Sequence, residues 1–113
     1  MDHVDVIRSY YQAYEASDRG AVEELLSSRF TFTSPLDDNI DRARYFAKCW
    51  PGNEHITRFR LDQVAVDGDH ALIRYEATET AGTTFRNVEH FAFDGDYVSH
   101  IDVYFGAVPD SLS

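Results

Sequence analysis

The chain reads as an α+β domain: three helices that cover the concave side of one strongly curved, antiparallel sheet. Two observations predict this class. Apolar residues recur at helical spacing through the first half, and from Ile56 onward the pattern changes to a period of two and stays there. A third observation is the break pattern, with Asp, Gly, Ser and Pro clusters set between the periodic runs and no interdomain linker or internal repeat. With 113 residues, 43% of them hydrophobic, the chain forms a single domain (1–113) with one core.

The first helix spans Val4 to Ala16, where Val4, Ile7, Tyr10, Tyr11 and Tyr14 share one side. Asp18 is placed to cap a second helix carrying Ala21, Val22, Leu25 and Leu26. Phe30-Thr31-Phe32-Thr33 alternates as a short strand, and Ser34-Pro35-Leu36-Asp37-Asp38-Asn39 ends it with turn and capping residues. A third helix is expected from Ile40 to about Cys49, with Ile40, Ala43, Phe46, Ala47 and Trp50 at helical spacing and Pro51-Gly52 as its stop.

Four long strands follow. In Ile56 to Asp67, Phe59 and Leu61 share one face while Val64 and Val66 share the other, so the alternation slips near Asp62-Gln63, as a bulge would make it. Asp67-Gly68-Asp69 and Ala81-Gly82-Thr83 read as turns, and Asp94-Gly95 or Gly95-Asp96 joins the last two strands. Where such a sheet bends away from its helices, a blind cavity is expected.

The strand from Phe85 to Phe93 carries the functional question. Period-two alternation puts Phe85, Asn87, Glu89, Phe91 and Phe93 on one face, so a carboxylate and an amide sit in a row of phenylalanines. A buried carboxylate needs a partner, a proton or a cavity. A two-residue final turn pairs odd positions of this strand with even positions of the next, which turns Glu89 toward His100, Asp102 and Tyr104. A three-residue turn would leave it with Ile101 and Val103 instead. Two close carboxylates in an apolar setting cannot both ionise easily, so one would hold a proton and donate a hydrogen bond while the other abstracts one. The competing reading is a structural pairing of Glu89 with Arg74, Arg86 or His100. The opposite face would carry Val88, Ala92, Ile101, Val103 and Phe105, apolar enough for a second copy of the chain to cover, hence an expected homodimer.

Charge and motifs exclude other classes. A net charge of −10 argues against nucleic acid or an anionic membrane as partner. No apolar run approaches a membrane span, and Met1-Asp2-His3-Val4-Asp5 lacks the features of a signal peptide, so a cytoplasmic location is expected. Cys49, the sole cysteine, excludes an internal disulfide and reads as a structural thiol. The five histidines show no metal-ligand spacing, and no phosphate loop, dinucleotide fingerprint or nucleophile elbow is present. Neither a metal nor a cofactor is expected.

Tyr10 to Pro35, with Ala16-Ser17-Asp18 between helices and Phe32-Thr33-Ser34-Pro35, resembles the first third of ketosteroid isomerase. Val88-Glu89-His90-Phe91-Ala92-Phe93-Asp94-Gly95 and Tyr104-Phe105-Gly106 resemble its closing hairpin, and His100-Ile101-Asp102-Val103 resembles the last strand of SnoaL-like polyketide cyclases. These point to the nuclear transport factor 2-like superfamily, whose scaffold is a cone of curved sheet and three helices. The resemblance implies Tyr10 as an oxyanion-hole tyrosine, Glu89 in the place of the isomerase's protonated aspartic acid, a system that serves as a standard example of a carboxylic acid kept neutral, and Asp102 as the cyclase general acid/base. Ser34 stands where the isomerase has its catalytic aspartate, and a hydroxyl cannot shuttle protons as that carboxylate does. The implied ligand is a small, largely apolar molecule with an oxygen function, with Asp102, Glu89 and Tyr10 catalytic and Tyr14, Ser34, Trp50, Asn87, Phe91, His100 and Tyr104 lining the site. The other reading is a non-catalytic binding or dimerisation module in which the polar cluster is structural.

Overall fold

A computed structural model describes residues 2–50 and 56–106. Helix α1, His3–Glu15, starts where the Asp2 carboxylate accepts from the Val4 N–H at 2.8 Å. Its buried side is Val6, Ile7, Tyr10, Tyr11, Ala13 and Tyr14. Helix α2, Arg19–Leu25, is capped as expected by Asp18, which accepts from Ala21 N–H at 3.1 Å. Leu26 does not continue it. That residue turns extended and opens strand β1, Leu26–Ser34, four residues longer at its start and one at its end than the alternation alone suggests.

Of the segment expected to be turn and helix caps, Pro35-Leu36 is the turn, but the residues from Asp37 onward form a strand. β2, Asp37–Asp41, pairs antiparallel with β1 through Thr31 opposite Asp41, Phe32 opposite Ile40 and Ser34 opposite Asp37. Helix α3 therefore runs Arg42–Cys49 rather than from Ile40, because Asp41 stays extended and its carboxylate accepts from Arg44 N–H at 2.9 Å. Its buried residues are Tyr45 and Phe46, whereas Ala43 and Ala47 are exposed. The expected stop at Pro51-Gly52 lies outside the described residues.

The remaining strands are β3 (Ile56–Asp67), β4 (His70–Glu79), β5 (Thr84–Asp94) and β6 (Tyr97–Phe105). The sheet order is β2-β1-β6-β5-β4-β3, antiparallel throughout except for the parallel β1–β6 pair. The β3 slip is real: Leu61 faces Tyr75 while Gln63 faces Arg74, which leaves Asp62 as the extra residue. Gly68 and Gly95, each at φ +61, take the left-handed positions of the two tight hairpin turns.

Rows of inward side chains stack along the curved sheet. Phe59, Ala77 and Phe85 form one row, Leu61, Tyr75, Asn87 and Phe105 the next, then Val64, Ile73, Glu89 and Val103, then Val66, Ala71, Phe91, Ile101 and Phe32. In the first row Phe59 and Phe85 are half covered on either side of buried Ala77, while Ile73, Phe91 and Ile101 are 0% exposed.

Two contacts close the far end. The His3 ring stacks on Phe93 at 3.9 Å and reaches the carbonyl oxygens of both hairpin turns, Nδ1 to Gly68 at 3.2 Å and Nε2 to Gly95 at 3.0 Å. At the opposite end Gly106 N–H donates to Arg86 O at 2.8 Å, and a Cβ there would lie 2.1 Å from that oxygen. Gly106→Ala is expected to lower the unfolding free energy by about 2 kcal/mol, because backbone rather than a flexible side chain must give way. Urea denaturation checks this; an unchanged midpoint would disprove the close approach.

Candidate functional site

The inward row of β5 is as the alternation predicts. Asn87 and Glu89 are buried at 9% and 8% exposure between half-buried Phe85 and buried Phe91 and Phe93. Glu89 neither pairs with an arginine nor with His100. Tyr11 Oη donates to its Oε1 at 2.5 Å and Tyr75 Oη to its Oε2 at 2.8 Å. Asn87 Nδ2 in turn donates to Tyr75 Oη at 3.1 Å, and its Oδ1 accepts from Gly106 N–H at 3.2 Å. Each group has a packing reason to be there: Tyr11 comes from the buried side of α1, and Tyr75 lies directly across the ladder from Asn87.

Burial drives the Glu89 carboxyl above the usual glutamate range, while the two tyrosine hydrogen bonds act in the opposite direction. Burial, and then the neighbouring Glu89 charge, raises Tyr11 and Tyr75, so both phenols stay protonated and donate. The result is a closed set in which both carboxylate oxygens are occupied.

A second polar system lies beside it. Tyr45 Oη sits within 2.7 Å of Tyr10 Oη and 2.5 Å of Tyr14 Oη, all three rings buried. Tyr14 meets the edge of Trp50 at a centroid distance of 4.9 Å and Phe59 at 6.2 Å, so its end of the chain lies toward the half-covered aromatic row. Three hydroxyls bring three protons, and two hydrogen bonds consume two of them. The third is taken up between Tyr14 and Tyr10, whose hydroxyls also interact, so no O–H of this set is left without a partner among the described residues.

Asp102 is not part of either system. The final turn is the two-residue kind, with Asp94 facing Tyr97, but Phe93 faces Val98 while Ala92 faces His100, so Ser99 is an extra residue in β6. That bulge reverses every later side chain. Val103, not Asp102, stands opposite Glu89, and Ile101 and Val103 are core residues at 0% and 6% exposure rather than part of an outer apolar face. His100, Asp102 and Tyr104 project from the convex side. There His100 Nδ1 lies 2.6 Å from Thr31 Oγ1, Tyr104 Oη donates to Asp102 at 3.3 Å, and Tyr104 is 56% exposed. The expectation that these three share a pocket with Glu89 is overturned, and with it the neighbouring pair of carboxylates.

Ser34 also stands apart. Its hydroxyl donates to Asp37 at 3.2 Å and accepts from Leu36 N–H at 3.1 Å, which is turn chemistry between β1 and β2. Asp37 itself is engaged by Lys48. Burial lifts the Cys49 thiol to about 11, so it stays protonated at neutral pH. Among the described residues no group of His, Cys, Asp and Glu is arranged to hold a metal ion. Sequence reasoning brought out Tyr10, Tyr14, Asn87 and Glu89 but missed the roles of Tyr11, Tyr45 and Tyr75. The signal for Tyr75 was its place between Ile73 and Ala77 on the inward alternation of β4.

Residues 7–101 match the model of the SnoaL-like domain. No curated protein matches the chain in sequence. Among solved structures, an NTF2-like protein of unknown function from Cytophaga hutchinsonii aligns with a TM-score of 0.77 at 17% identity over 93% of this chain and 90% of its own. A protein with a ketosteroid isomerase-like fold from Catenulispora acidiphila, in complex with trimethylamine, gives 0.74 at 11% identity over 92% and 87%. A cystatin-fold protein from Novosphingobium aromaticivorans gives 0.75 at 16% identity over 91% and 97%. At these identities the structural likenesses establish the fold, and the sequence match establishes the family. The chain belongs to the SnoaL-like domain family.

Proposed function

We propose that this domain binds a small, largely apolar molecule bearing a hydrogen-bond-accepting oxygen at the half-covered aromatic end of the cone, near Tyr14, Trp50 and Phe59, and that it acts as a binding module. The observation that carries the reading is the cluster of three buried, protonated phenols, Tyr10, Tyr45 and Tyr14, beside that aromatic row. A ligand carbonyl or oxyanion placed there can accept from one of these O–H groups in a water-excluded setting, where a hydrogen bond orients the ligand. The aromatic row around it supplies apolar surface for the remainder of the molecule. That a protein of the same fold forms a complex with trimethylamine is in keeping with small-molecule binding on this scaffold.

Acid/base turnover by Glu89 and Asp102 has less support than binding, because the two lie on opposite faces of the sheet and both Glu89 oxygens are already held. Glu89 serves to organise Tyr11 and Tyr75. The test compares two probes of nearly equal shape, 2-acetylnaphthalene and 2-ethylnaphthalene, by fluorescence titration. The ketone is expected to bind about tenfold more tightly than the hydrocarbon, the worth of one hydrogen bond. Equal affinities, or no binding of either, would refute the reading.

A further inference from the structure

A separate groove of about 520 Å³ lies outside the cone, between the start of α2, the first half of β1 and the start of α3. Its walls bring together Arg19, Arg29 and Arg42, three of the ten basic residues of a chain whose net charge is −10. Such a concentration of guanidinium groups in an acidic protein is a local reversal of the surface field. Two carboxylates, Glu23 and Asp41, share the groove, so its lining keeps an excess of one positive charge. Glu23 accepts from Arg19 Nε at 2.6 Å, and Asp41 accepts from Arg44 N–H as the cap of α3. Arg29 is exposed and makes no hydrogen bond or ion pair among the described residues.

The groove also holds an unmet donor. Arg42 gives one terminal nitrogen to Glu23 O at 2.7 Å, but its buried Nε has no hydrogen-bond partner among the described residues. The same is true of Ser27 Oγ, one residue before the groove-lining Ser28. The guanidinium carbons of Arg19 and Arg42 lie 4.7 and 5.8 Å from the Phe46 ring centre, which pre-orients both forks against an apolar wall.

We propose that this groove is a binding site for a small organic oxyanion, a phosphate ester or carboxylate with an apolar body. The planar forks of Arg29 and Arg42 match the paired oxygens of such a group, and a shift of the Arg42 fork toward it gives Nε its missing acceptor. The volume of the groove leaves room beyond the oxyanion for the body of the ligand. A bare ion would fill only a small part of the volume.

Phenyl phosphate titrated into the full chain, followed by amide NMR with benzyl alcohol and potassium chloride as controls, tests the proposal. Saturable shifts of the Ser28, Arg29, Thr31 and Arg42 amides are expected with phenyl phosphate alone. Arg29→Gln, a change at an exposed position that the fold does not need, is expected to weaken binding about tenfold. Shifts that do not saturate, that potassium chloride reproduces, or that Arg29→Gln leaves unchanged would overturn it. So would shifts confined to Tyr14, Trp50 and Phe59, which would place the probe at the mouth of the cone instead.

Discussion

Glu89→Leu is expected to lower the unfolding free energy by about 3 kcal/mol, whereas Glu89→Gln, which keeps one acceptor oxygen, is expected to lose roughly half as much at neutral pH. Leucine is of similar bulk and removes a buried carboxyl, which taken alone is favourable. It also strips the acceptor from Tyr11 and Tyr75, whose hydroxyls reach no other acceptor in the set, and each orphaned buried donor costs roughly 1–3 kcal/mol. Glutamine keeps one oxygen for a tyrosine donor, and its amide can donate to the other phenol oxygen. Adding Tyr11→Phe to Glu89→Leu is expected to recover part of the loss. Urea denaturation of the set decides the matter, and a fully stable Glu89→Leu would show that the carboxylate is not what holds the tyrosines.

The same pair of proteins separates by pH. Burial raises the folded-state value of Glu89 above the ordinary 4.5, so between that value and the raised one the folded chain binds more protons than the unfolded chain. Stability from this group is therefore fully present below about pH 4.5 and falls as the pH rises through the raised value, becoming level once Glu89 is ionised in both states. Glu89→Gln removes that fall, so its stability relative to the parent is expected to climb across this window. Parallel stability curves from pH 4.5 to 8 would contradict the raised value.

What could be read from the chain, and what could not, divides along physical lines. The inward row of β5 was legible because strand alternation is obligatory once Phe91 and Phe93 must be buried. The bulge in β3 was legible because the apolar alternation itself slips between Leu61 and Val64. The same slip exists in β6, where Val98 is at an even position and Ile101 and Val103 are at odd ones, but the turn arithmetic carried the polar residues inward instead. Strand β2 was not legible. Asp37-Asp38-Asn39 has the composition of a turn, and only the edge offered by β1 makes it a strand. The tyrosine partners of Glu89 come from α1 and β4, far apart in sequence, and no local pattern announces such a meeting.

Deleting Ser99 is expected to abolish folding or to cost at least about 4 kcal/mol, while Ser99→Ala is expected to cost less than about 1 kcal/mol. The extra residue can be absorbed in only two ways. If the turn end of the hairpin stays in register, every residue after position 99 reverses: Ile101 and Val103 leave the core, and Asp102 arrives beside Glu89. Exposing two such side chains forfeits roughly 1.5–3 kcal/mol each, and a second carboxylate enters an apolar space already holding one. If instead the far end of β6 stays in register, Val98, now 0% exposed, must turn outward and the tight turn at Gly95 must open. Neither route preserves the core, whereas Ser99→Ala keeps the residue count and therefore the face of every side chain beyond it. Circular dichroism and urea denaturation of the two variants distinguish these outcomes. A deletion variant as stable as the parent would mean that the bulge is dispensable, and that the side of the sheet on which Asp102 emerges is not set by it.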